Sequence, residues 1–193
     1  RNVAILLFDD VEVLDFCGPF EVFGVTGRNE PEPPFRVGTV AEKSPIAARN
    51  GLSVNPAYSL ETCPPADILL VPGGWGTRRE MHNARLVEWV RQRAAAAELV
   101  LSVCTGALIL GQAGLLDGLE ATTHFGAIDL LRESAPHCTV TPARRFVDNG
   151  RVITSAGISA GIDMSLHVVA RLLGKPIAEE TARYMEYRWE RAD

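Results

Sequence analysis

The sequence predicts one α/β domain over residues 1–193, a three-layer sandwich with a mostly parallel sheet and helices on both faces. Three observations predict it. Apolar runs recur at residues 3–8, 68–71 and 99–103, the last interrupted only by Ser102, the signature of strands covered on both sides. Segments with helical spacing alternate with those runs, which implies βαβ units. No repeat, low-complexity stretch or linker divides the chain, and its length suits a single domain with a sizeable core.

The elements follow in order. The first run, Val3-Ala4-Ile5-Leu6-Leu7-Phe8, ends at Asp9-Asp10. Val13, Leu14, Phe16, Phe20, Val22 and Phe23 then fall at helical spacing, with the helix start expected near 17–19 because Pro19 suits a first turn. After a proline-rich loop, residues 35–40 read as a second strand, and 46–54, with Gly51 inside, as a small hairpin. Ile68-Leu69-Leu70-Val71 is a third strand broken by Pro72-Gly73-Gly74, and a helix over about 84–97 follows. A fourth strand spans 99–103, and a helix is expected over 105–116, loosened by Gly114. A short strand near Ala121-Thr122 precedes a helix marked by Ile128, Leu130 and Leu131. Asp148-Asn149-Gly150 carries a hairpin signal between two strands. A helix over 158–173 and a last helix reaching about 188 close the chain.

Composition excludes several functions. Hydrophobic residues are 47% and charged residues 22% of the chain, with net charge −5, so neither disorder nor a basic stripe for nucleic acid is indicated. Arg78-Arg79 and Arg144-Arg145 read as ordinary surface pairs, and the anionic balance disfavours an anionic membrane surface. The opening apolar run is too short for a secretory signal core, and no stretch approaches a membrane span. Cys17, Cys63, Cys104 and Cys138 are scattered, without metal-ligand spacing. The expectation is therefore a cytoplasmic protein with reduced thiols and no metal. P-loop and GxGxxG patterns are absent.

In open α/β sheets ligands gather at the carboxyl ends of strands. Ser102-Val103-Cys104-Thr105-Gly106 sits there, between strand and helix, as a small-x-nucleophile-x-Gly elbow. Cys104 is either an inert core cysteine or a reactive one; the turn favours the second. The helix N-terminus is expected to lower its pKa. Gly73-Gly74 offers either free N–H groups for an anionic intermediate or a plain tight turn. Asp15, between Leu14 and Phe16, is either a helix cap or an acid/base. His124 either orients a substrate, serves as a base or is structural. Gly157-Ile158-Ser159-Ala160-Gly161 opens a helix and either lines the pocket or marks close packing.

Across nearly the whole chain the sequence resembles the ThiJ/PfpI superfamily, whose fold is flavodoxin-like and similar to class I glutamine amidotransferases. The resemblance rests on Leu14-Asp15-Phe16-Cys17-Gly18-Pro19, Val71-Pro72-Gly73-Gly74, Ser102-Val103-Cys104-Thr105-Gly106-Ala107, Ala121-Thr122-Thr123-His124 and Gly157-Ile158-Ser159-Ala160-Gly161-Ile162-Asp163. Asp15 and the Cys-Thr-Gly elbow look like the isocyanide hydratase branch and like sensor domains of AraC-type regulators. The protease-like branch has Cys-His at the elbow, and chaperone and deglycase branches place a Glu near the cysteine, so those activities are disfavoured. By resemblance, Cys104 attacks the terminal carbon of a small isocyanide to form a thioimidate, and Asp15 moves protons or activates water. Thr105 hydrogen-bonds near the reacting group, and Gly73, Gly74, His124 and Ile158 line the pocket. The resemblance implies a small-molecule substrate, no cofactor, and a homodimer. No helix-turn-helix follows within the chain, so no nucleic-acid contact is expected from it. The alternatives are a ligand or redox sensor, in which Cys104 oxidises, and another cysteine-dependent hydrolase.

Overall fold

A computed structural model describes residues 1–189. The chain runs β1 (Asn2–Leu6), α1 (Val13–Val25), β2 (Arg36–Ala41), β3 (Ile46–Ala47), β4 (Ser53–Val54) and β5 (Tyr58–Ser59). It continues with β6 (Ile68–Val71), α2 (Thr77–Glu80), α3 (Ala84–Ala96), β7 (Leu99–Val103), α4 (Gly106–Gln112) and β8 (Glu120–Ala121). It ends with α5 (Ile128–Ser134), β9 (Thr139–Val140), β10 (Phe146–Asp148), β11 (Val152–Ser155), α6 (Ala160–Leu173) and α7 (Lys175–Tyr184).

Seven strands form the central sheet in the order β10-β11-β7-β6-β1-β2-β5. Every pairing is parallel except β10–β11, the hairpin announced by Asn149-Gly150. β6 and β7 are buried at every residue, which is why β6 reads as an unbroken apolar run and β7 as one interrupted only by Ser102. From β1 the chain passes to β2 on one side and later to β6 on the other. The crevice beyond the carboxyl ends of β1 and β6 is therefore the topological switch point of the sheet. A single bridge, Val11 to Gly74, spans it.

The structure corrects several boundaries. α1 begins at Val13, and Pro19 lies inside it. The missing proline N–H falls opposite the Asp15 carbonyl, one turn back, so the helix tolerates it at the cost of one bond. α4 stops at Gln112, before Gly114 turns left-handed at φ 72°. α6 starts at Ala160 rather than Ile158, and α7 ends at Tyr184 rather than near 188. The strand near Ala121 lies outside the main sheet and pairs with β9. Gly18 lets α6 approach α1: a Cβ there would sit 2.8 Å from the Ile162 side chain. That contact brings the start of α6 over the start of α1.

Candidate functional site

Cys104 occupies the turn between β7 and α4 with φ 56°, a left-handed conformation that is costly for a non-glycine residue. Its neighbours hold it there. The Cys104 N–H donates to the Ser155 and Ala156 carbonyls at 3.1 Å each. The Thr123 hydroxyl donates to the Cys104 carbonyl at 2.8 Å. The small residue required two positions on is Gly106, where a Cβ would lie 2.0 Å from the Val71 carbonyl oxygen. The elbow pattern is thus a close-packing demand of β6 as well as a turn demand. Cys104 is 6% exposed.

Asp15 lies in the first turn of α1 and is fully buried. It is not the cap: Glu12 holds that position, without a side-chain capping bond. The Gly73 N–H donates to Asp15 Oδ2 at 2.9 Å. Oδ1 is buried without a hydrogen-bond partner. The Cys104 thiol and the Ile158 N–H also bear on the carboxyl, though too loosely to form full hydrogen bonds. Burial dominates and pushes the Asp15 carboxyl up to about 7, helped by the charge of Glu12; the Gly73 N–H, the thiol and the Ile158 N–H pull the other way.

The thiol contradicts the expectation of a lowered pKa. Burial, then the Asp15 charge, push Cys104 up to about 12, although the Thr105 and Ile158 N–H groups both favour the thiolate. Two peptide donors, one at the start of α4 and one in the turn before α6, do not offset loss of water and a carboxylate neighbour. Burial thus favours the thiol form of Cys104 at neutral pH, beside a carboxyl pushed up to about 7, and the titrations of the two groups are coupled.

The glycines after β6 serve this pair. Gly73 could not carry a side chain, because a Cβ would meet the Thr105 nitrogen at 2.5 Å and Asp15 Oδ2 at 2.8 Å. Its N–H is not free but engaged by Asp15, and the Gly74 N–H donates to Thr105 Oγ1 at 3.0 Å. Thr105 Oγ1 lies 3.1 Å from the Gly74 carbonyl and accepts from the Thr77 hydroxyl at 2.9 Å. Thr105 thereby ties α4 to the loop after β6. Thr77, fully buried, and Thr123 were not singled out from sequence; a threonine three residues beyond Gly74 was the one available signal.

Ile158 has φ 54°, an outlier for a β-branched residue, and this turn presents its N–H to both Cys104 and Asp15. Gly161, in the same motif, packs against Val103. His124 Nδ1 accepts from the Gly126 N–H at 3.1 Å, and its ring lies 4.4 Å from that of Phe125. A mostly apolar pocket of about 640 Å³ is lined by Thr123, His124, Phe125, Ile128, Pro142 and Ile158 among others; it reaches the pair's neighbours Thr123 and Ile158, but neither Cys104 nor Asp15 lines it. Asp15, Cys104, Thr105, Gly73, Gly74 and Ile158 meet at one place, and His124 lines the adjoining pocket. Among the described residues, no group of three or more His, Cys, Asp or Glu side chains is placed to hold a metal ion. No described helix is long and apolar enough to cross a membrane.

This arrangement can be set beside known proteins. The chain is 37% identical over 188 residues to an isonitrile hydratase of Pseudomonas putida, covering 96% of this chain and 78% of that protein. It is 38% identical over 142 residues to the HTH-type transcriptional regulator CdhR of Pseudomonas aeruginosa, covering 74% of this chain but only 42% of the regulator. Among solved structures, a ThiJ/PfpI family protein from Pseudomonas syringae superposes with a TM-score of 0.88 at 32% identity, covering all of this chain and 77% of that one. The model of the DJ-1/PfpI family matches residues 1–171, a span that holds the sheet, the elbow and the switch-point crevice, and the chain belongs to that family.

Proposed function

We propose that the protein hydrates a small isonitrile to an N-substituted formamide, with Cys104 as nucleophile and Asp15 as proton carrier. The observation that carries this reading is a buried thiol–carboxyl pair with no cation against it among the described residues, in which burial pushes the carboxyl up to about 7. An isonitrile needs one proton delivered to its terminal carbon while sulfur bonds to that same carbon. Asp15 takes the Cys104 proton as the C–S bond forms and returns it to the carbon, giving a thioimidate, R–N=CH–S–Cys104. Water then adds across the C=N bond, oxygen to carbon and hydrogen to nitrogen, with Asp15 again carrying the proton. The hydroxyl loses its proton through Asp15, the C–S bond breaks, and the thiol is restored as the formamide leaves. The apolar pocket beside Ile158 and Phe125 holds the R group, and Thr105 keeps Gly73 and Asp15 in register. No cofactor enters the scheme.

Incubation with an aryl isonitrile, following formamide formation by absorbance, tests it. Turnover by the native protein that vanishes in Cys104→Ala is the expected result. Absence of turnover on aryl and alkyl isonitriles alike would overturn it. A second reading, a ligand-sensing domain, is favoured by the match to part of a transcriptional regulator. It predicts saturable binding of a small molecule in the same pocket without product.

A further inference from the structure

The left-handed turn at Ile158 carries an N–H that serves both members of the reactive pair, and something must hold a β-branched residue in that conformation. The residues on either side of it converge on one residue, Arg145. The Arg145 carbonyl accepts the Ala156 N–H at 3.0 Å, and Arg145 Nη2 donates to Ser159 Oγ at 3.3 Å. The same guanidinium donates through Nε to Asp163 Oδ2 at 2.7 Å, and Nη2 also contacts that oxygen. Asp163 is fully buried in the first turn of α6 and also accepts from the Tyr187 hydroxyl at 3.1 Å. Sequence reading took Arg145 for an ordinary surface residue. It instead grips the chain before Ile158 through its backbone and the chain after it through its side chain, anchored on a buried carboxylate.

We propose that Arg145 is a positioning residue: by clamping Ala156 and Ser159 against Asp163 it keeps the Ile158 N–H directed at Cys104 and Asp15. It touches neither reacting group. The groups that bear electrostatically on the pair are Cys104 and Asp15 themselves and Glu12, and Arg145 acts on them only through the turn. The inference depends on the thiol–carboxyl pair and not on isonitrile as substrate, so it stands or falls separately from the hydratase reading.

The test is the pH profile of Cys104 alkylation by iodoacetamide, measured with Cys17, Cys63 and Cys138 replaced by serine, alongside the melting temperature. In Arg145→Met the pair loses a donor that favours its anionic forms. Alkylation at pH 7 is expected to slow roughly threefold to tenfold and the profile to move to higher pH. Arg145→Lys, which keeps a cation for Asp163, should recover part of the loss. Arg171→Met is the control, because Arg171 clamps the other end of α6 to Asp148 and the Gly150 carbonyl. It is expected to lower the melting temperature and leave the profile in place. If Arg145→Met does not fold, Ser159→Ala removes only the side-chain grip and should shift the profile in the same direction by less. Profiles of Arg145→Met, or of Ser159→Ala in its stead, that superimpose on native would overturn the proposal, as would an equal shift in Arg171→Met.

Discussion

Two aspartates are fully buried at matching places, each in the first turn of a long helix: Asp15 in α1 and Asp163 in α6. Their partners differ. Asp163 is met by the Arg145 guanidinium and the Tyr187 hydroxyl, so its charge is answered. Asp15 is met by one peptide N–H in full hydrogen-bonding distance, a thiol and a second N–H farther off, and no cation. Burial therefore falls on Asp15 unrelieved, and its carboxyl is lifted to about 7. On the readings proposed above, one aspartate anchors a turn and the other carries a proton. The lesson is that burial alone does not single out a candidate carboxylate, whereas burial without a counter-charge beside a thiol does.

The largest effect should come from removing the proton carrier while keeping its shape. Asp15→Asn still accepts the Gly73 N–H, and isonitrile turnover should fall by roughly a thousandfold. The native kcat/KM should rise with pH through about 7, as Asp15 becomes the carboxylate that accepts the thiol proton. The variant should lose that rise. Stability should move the other way. The folded carboxyl keeps its proton up to about 7 and the unfolded one only to about 4, so this stabilising contribution is complete below about pH 4 and is lost as pH rises through 7. Asp15→Asn should therefore melt no lower than native at pH 8. A large drop there would restore a structural role.

Asp163→Asn should invert that pattern. It strips the counter-charge from a side chain that is one-third exposed (34%), and should cost roughly 2 kcal/mol, or about 4–8 °C in melting temperature. Any activity it loses should be far less than that of Asp15→Asn. Thermal melts and steady-state rates on both variants separate the two roles. Gly73→Ala should give a smaller mixed effect. Its Cβ would press on Thr105 and Asp15, costing roughly 1–3 kcal/mol and displacing the carboxyl that Gly73 now holds. Native-like kinetics in that variant would show that Asp15 needs no fixed position.

The legibility of the chain followed the locality of the physics. Ile68–Val71 and Leu99–Val103 were read to the residue, because strands buried on both faces leave almost purely apolar runs, broken here only by Ser102. The Asn149-Gly150 hairpin was equally clear, since a tight turn has its own residue requirements. The start of α1 was misplaced because Pro19 usually opens a helix and here lies inside one. α6 was begun too early because Ile158, apolar and helix-spaced, is held left-handed by contacts from elsewhere. β5, β9 and α2 are too short to show a period at all.

The sequence by itself determined the layered sheet, the elbow at Cys104 and the candidate group Asp15, Gly73, Gly74 and Thr105, because each is written in local pattern or motif. Only the tertiary structure decided the electrostatics. It removed the cap reading of Asp15, turned the two glycine N–H groups onto Asp15 and Thr105, and reversed the direction of the thiol pKa. A pKa depends on what surrounds a group from every side. For Cys104 those surroundings come from α1, the loop after β6 and the turn before α6, which no local stretch of sequence contains.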